Sequence, residues 1–118
     1  MPPLTGNSQV APVLVAAGIC PRTTPTNNKA QQSFGASFNH SGVGFWEVDF
    51  STMQPGLDPK KVLLGVTLGD GSTGTNGMQY GVSQSAGPLW AISTFLSSNN
   101  VQTDCDLHLT FSLMPSQF

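Results

Sequence analysis

Asp106-Leu107-His108-Leu109-Thr110-Phe111-Ser112-Leu113 alternates strictly: Leu107, Leu109, Phe111 and Leu113 share one parity, His108, Thr110 and Ser112 the other. Successive side chains of a strand point to opposite faces, so this stretch is predicted to be a strand with one apolar and one polar face. Moving outward from it, the same period recurs. Residues 89–96 place Trp90, Ile92, Thr94 and Leu96 together; residues 78–83 align Met78, Tyr80 and Val82; residues 60–68 align Val62, Leu64, Val66 and Leu68. In residues 43–50, Trp46, Val48 and Phe50 face inward, with Glu47 and Asp49 outward. Residues 33–39 put Phe34, Ala36 and Phe38 on one face, and residues 11–20 form an apolar run interrupted by Pro12. The intervening segments are turn-forming: residues 21–32 are polar and contain Pro25, residues 52–59 carry Pro55, Gly56 and Pro59, and residues 69–77 read GDGSTGTNG.

Short strands at this spacing, each with one inward face, predict two packed antiparallel sheets. The expected fold class is all-β, a jelly-roll-like antiparallel β-sandwich of about seven to eight strands. It is expected as one domain over residues 11–118, preceded by an extended N-terminal arm over residues 1–10. The 118 residues suffice for one domain with a modest core.

Charge is scarce. Charged residues make up 8% of the chain, against roughly 25% in typical soluble domains, while Ser, Thr, Asn and Gln supply about a third. Neutralising phosphates needs clustered Lys and Arg, and this chain has Arg22, Lys29, Lys60 and Lys61, so nucleic acid is not an expected partner. No stretch approaches the roughly 20 apolar residues of a membrane-spanning helix. Residues 10–20 follow a segment without the positive charge of a signal peptide, so they are read as a strand and synthesis is expected in a cytosol. Cys20 and Cys105 fit no metal spacing and are expected as free, partly buried thiols.

Candidate chemistry is thin, and no enzyme, cofactor, catalytic residue or metal ligand is expected. Asp106 and His108 are two apart on one strand face and could pair, but no nucleophile elbow accompanies them. His40 lies in Asn39-His40-Ser41-Gly42 and is read as a turn residue. The loop from Asp70 to Gly77 tempts a calcium reading, yet position twelve counted from Asp70 is Gly81, not the bidentate Glu of a calcium loop. Glu47 and Asp49 share a face and form no cleft between them. Trp46 and Trp90 could stack on a sugar, but their strand contexts favour burial.

Residues 36–53, ASFNHSGVGFWEVDFSTM, resemble a pattern of the tip domains of tailed-phage fibres and related virion proteins, in which Gly-x-Gly-x-aromatic-x-Val-x-Phe follows a strand. Gly42, Gly44, Trp46, Val48 and Phe50 occupy those places, and the order of later strands through residue 113 follows the same plan. The resemblance implies a β-sandwich protomer that forms a homotrimer. With no heptads and no collagen-like repeat to serve as a shaft, the first expectation is a capsid decoration (cement) protein. It would be made in the host cytoplasm and carried on the virion capsid surface, where it would bind the major capsid protein. The alternative is a receptor-binding fibre tip recognising host glycans. The expected contacts lie on the arm: Pro2, Pro3, Leu4, Thr5, Asn7 and Val10.

Overall fold

The computed structural model describes residues 12–71, 77–84 and 89–114; the arm expected over residues 1–10 lies outside them. Eight strands appear, in chain order β1 (Val13–Cys20), β2 (Gln32–Phe34), β3 (Ser37–Gly42), β4 (Phe45–Asp49), β5 (Val62–Gly71), β6 (Met78–Gln84), β7 (Leu89–Leu96) and β8 (Cys105–Leu113). A 3-10 turn at Pro59–Lys61 leads into β5 and is the only helical element among the described residues. Two antiparallel four-stranded sheets form, ordered β2-β1-β8-β5 and β3-β4-β7-β6. The all-β sandwich expected from the alternating runs is the architecture observed. The chain passes back and forth between the sheets, keeping the hairpins β3–β4 and β6–β7 within the second one.

The alternation of β8 explains why it is central. Cys105, Leu107, Leu109 and Phe111 are buried, and the strand pairs with β1 on one side and β5 on the other. From this sheet Ala16, Cys20 and Val62 join the core; from the other come Phe38, Trp46, Val48 and Ile92. Phe111 binds the layers together. Its ring stands edge-on to Phe50 at 5.0 Å and to Trp90 at 5.8 Å, and tilted against Phe38 at 6.1 Å. Aromatic rings at these separations and angles attract beyond simple area burial.

Two expectations need correction. Residues 33–39 are not one strand: Gly35 adopts φ of 82°, and the chain crosses there from one sheet to the other. A side chain at Gly35 would collide with Val15 O and Ala16, on top of the strain of a left-handed backbone. Ala36 and Phe38 are buried as expected, but Phe34 ends up on β2, half exposed on the outside of the first sheet. The second correction concerns residues 21–32, read as a plain loop. Its Asn27–Ala30 portion runs along β3 and bonds to it: Asn27 N–H donates to His40 O, His40 N–H to Asn28 O, and Ala30 N–H to Phe38 O, at 2.6, 2.9 and 2.9 Å. Asn27 reaches this path with φ of 69°, which Asn tolerates better than most residues. On β6 the expected alignment of Met78, Tyr80 and Val82 is observed, Tyr80 and Val82 lying opposite Thr94 and Ile92. They therefore face inward, yet both are exposed, because β6 is an edge strand and the sandwich is not closed over it.

Candidate functional site

His40 is not a turn residue. It is the fourth residue of β3, and the same alternation that buries Phe38 turns it inward, leaving it 2% exposed. Its ring stacks on Trp46 at 4.9 Å and 25° from parallel. Its Nε2 lies 2.8 Å from Asp104 Oδ1. A carboxylate only accepts, so Nε2 carries the hydrogen and donates it. The same Oδ1 accepts the Gly44 N–H at 2.7 Å. Gly44 turns the β3–β4 hairpin with φ of 64°, and a Cβ there would lie 2.5 Å from Thr94 O and 2.8 Å from Thr103 N. Around it, Thr94 N–H donates to Gly44 O, Thr103 N–H to Thr94 O, and the Thr94 hydroxyl to Thr103 O.

This network clasps the β3–β4 hairpin to the segment leading into β8. An Asp–His pair is also part of a hydrolytic triad, but His40 Nδ1 is buried without a partner among the described residues. The nearby hydroxyls are committed elsewhere: Ser41 Oγ donates to Glu47 Oε1, and Thr103 Oγ1 to Val101 O. The arrangement positions a hairpin, and among the described residues no hydroxyl or thiol is hydrogen-bonded to His40.

The other candidates fall as follows. Asp106 accepts a hydrogen bond from Arg22 N–H at 2.8 Å, while His108 stands exposed on the outer face of β8. Cys20 and Cys105 are free and buried. Cys20 is the register partner of Leu107, which makes Cys105 its diagonal neighbour, roughly 7–8 Å away and too far for a bond without backbone movement. Burial, reinforced by the neighbouring Cys105, pushes the Cys20 thiol up to about 12, and burial likewise raises Cys105. Neither is a reactive thiol in that state. Trp46 is buried and Trp90 half-buried against Phe111, as their strand contexts foretold. No group of three or more His, Cys, Asp or Glu among the described residues could hold a metal ion. Residues 72–76 of the glycine-rich loop lie outside the described residues, as do Pro2, Pro3, Leu4, Thr5, Asn7 and Val10 of the arm.

What the sequence reading missed is the outside of the first sheet. Ile19 and Leu14 of β1, Phe34 of β2 and Leu63 of β5 are 41–50% exposed, and Thr67, Thr110 and Ser112 lie between them. A shallow apolar groove of about 350 Å³ runs over β1 and β2, lined chiefly by Ala17, Ile19, Phe34 and Thr110. No Lys, Arg, Asp or Glu borders it. The signal was present in the runs Val13–Cys20 and Val62-Leu63-Leu64, which are apolar on both alternations. A strand that is apolar on both faces and covered on one must show the other.

No protein-family model, no curated protein and no solved structure matches the chain.

Proposed function

We propose that this protein acts by binding and assembling, as a structural protein of a tailed-phage particle. Its role would be to decorate the capsid as a homotrimer and to stabilise the lattice of the major capsid protein. The observation that carries the assembly reading is the outer face of the β2-β1-β8-β5 sheet, which sets half-exposed Leu14, Ile19, Phe34 and Leu63 among Thr and Ser with almost no charge. Exposed apolar side chains gathered on one uncovered sheet face mark interaction sites. The finer reading, on the virion, is supported by the likeness of residues 36–53 to virion domains. A partner that binds only the assembled lattice shifts the equilibrium toward it, and three-fold symmetry multiplies weak contacts. With few charges available, binding should depend little on salt.

The test is the position of the protein on particles, imaged with a tag placed after Phe118, together with particle binding of a chain lacking residues 1–10. Density over the capsid surface and loss of binding without the arm are expected. Density confined to the tail would refute decoration, and full retention by the shortened chain would refute the arm as the clamp.

A further inference from the structure

Of the edge strands β2, β5, β3 and β6, the first three are blunted. Asn27–Ala30 occupies the free backbone groups of β3. β2 is three residues long. β5 is irregular between Leu68 and Gly71 and carries Asp70. Covering, shortness, irregularity and charge are the devices by which edge strands avoid pairing with other chains. β6 has none of them. Its seven residues contain no charge and no proline, and they run against β7 in unbroken register. Among the described residues, no strand pairs with the other side of β6. Thr94 fixes which backbone groups point out there. Its N–H donates to Gly44 O and its C=O accepts from Thr103 N–H, both on the side away from β6. Thr94 is the register partner of Tyr80, so the two stand opposite each other without exchanging hydrogen bonds, and Tyr80 turns its own N–H and C=O outward. Alternation extends this to Met78, Val82 and Gln84, while Gln79, Gly81 and Ser83 bond to β7. The outward set is symmetric about Gly81.

We infer that two copies of this chain pair β6 to β6, antiparallel across a two-fold axis at Gly81, joining their second sheets into one. Tyr80 of each copy then stands opposite Val82 of the other, and Met78 opposite Gln84, each exchanging both of its outward backbone groups. Every other antiparallel register leaves part of the outward set unpaired. A strand facing its own copy sets any charge it carries near the same charge, which is destabilising; β6 carries none. An axis perpendicular to the sheet keeps inward side chains inward. Tyr80 and Val82, 46% and 39% exposed in the single chain, thereby become cross-strand neighbours, an aromatic residue on a β-branched one, which is a stabilising pair. The copy number is two because the same patch serves both partners and the contact consumes it. This contact does not rest on the capsid reading. It lies on the edge of the second sheet, whereas the assembly face above lies on the first, so a three-fold contact there would give a dimer of trimers.

Light scattering coupled to size exclusion, on the full chain from micromolar to millimolar concentration, should give the mass of two protomers, or of six where the three-fold contact also forms. Amide exchange followed by NMR should slow at Tyr80 and Val82 as the chain associates, with Gln79, Gly81 and Ser83 protected throughout. Val82→Pro deletes an outward N–H that takes no part in the β7 ladder, a place where an edge strand tolerates proline. It should fold and weaken the pairing about 10-fold or more. Should its far-UV spectrum not be that of a folded chain, Val82→Lys sets a charge at the edge instead. Gly81→Cys reads the axis directly. Residues opposite each other at a position without hydrogen bonds lie about 4.5 Å apart between Cα atoms, within reach of a disulfide, so mild oxidation should link two copies covalently. Ser83→Cys, about 13 Å from its counterpart in this register, should not link, and Cys20 and Cys105 are buried and contribute no background. A wild type that is a monomer or a plain trimer at every concentration, an oligomer without slowed exchange at Tyr80 and Val82, or a folded Gly81→Cys chain that stays single overturns the inference. None of these outcomes bears on capsid decoration, which particle binding reads separately.

Discussion

Replacing Asp104 by alanine removes one oxygen that serves two donors at once, the His40 Nε2–H at 2.8 Å and the Gly44 N–H at 2.7 Å. Gly44 is buried and His40 nearly completely so, so both donors lose their partner in a place where water compensates poorly. Each buried donor left unsatisfied costs about 1–3 kcal/mol, and together they give a loss of about 2–6 kcal/mol. His40 Nδ1 already lacks a partner. His40→Phe removes that burden as well as the bond to Asp104, keeps a ring over Trp46, and leaves the Gly44–Asp104 bond in place. It should therefore cost less than Asp104→Ala, about 1–2 kcal/mol. The assay is urea unfolding followed by tryptophan fluorescence, since Trp46 stacks directly on His40, with all variants at one protein concentration because self-association raises apparent stability. The slope of the transition should stay constant while the midpoint falls. The double variant should cost less than the sum of the singles by about 1 kcal/mol, the signature of groups that touch. An Asp104→Ala variant within about 0.5 kcal/mol of the wild type, a margin typical of exposed surface changes, would refute the clasp.

Further outcomes follow from the same geometry. Phe111→Ala, which empties the place shared by Phe38, Phe50 and Trp90, should destabilise by about 3–5 kcal/mol in the same assay. Gly44→Ala forces an alanine into a left-handed backbone against Thr94 O and Thr103 N; the strain alone costs about 1–2 kcal/mol, so a lower melting temperature in calorimetry is expected. The Cys20 thiol is raised on folding from 9.0 to about 12, so its contribution is fully present below pH 9 and fades as pH rises toward 12. Cys20→Ala should flatten that alkaline decline, measured as unfolding free energy against pH. In the native state neither cysteine should react with a thiol reagent at mildly alkaline pH, and both should react in denaturant.

The strands were legible where one face alone is apolar. β8 is the clearest case, because Leu107, Leu109 and Phe111 alternate with His108, Thr110 and Ser112, and only one register buries the first set. Legibility failed where a single residue redirects the chain. Gly35 looks like any glycine within a strand, and nothing local shows that Phe34 and Phe38 belong to different sheets. It failed again for His40, whose partner Asp104 lies 64 residues away; a tertiary hydrogen bond leaves no periodic trace. The groove was hidden for a third reason. In a run such as Val13–Cys20 both alternations are apolar, so the pattern announces a strand without saying which of its sides the partner sheet will cover.

Cys20 and Cys105 sit one diagonal step apart within a single sheet, close enough to feel each other and held by the register of β1 and β8 from ever joining. The fold is thus complete without oxidation. The stability of the sandwich should therefore be indifferent to the thiol–disulfide poise of its surroundings.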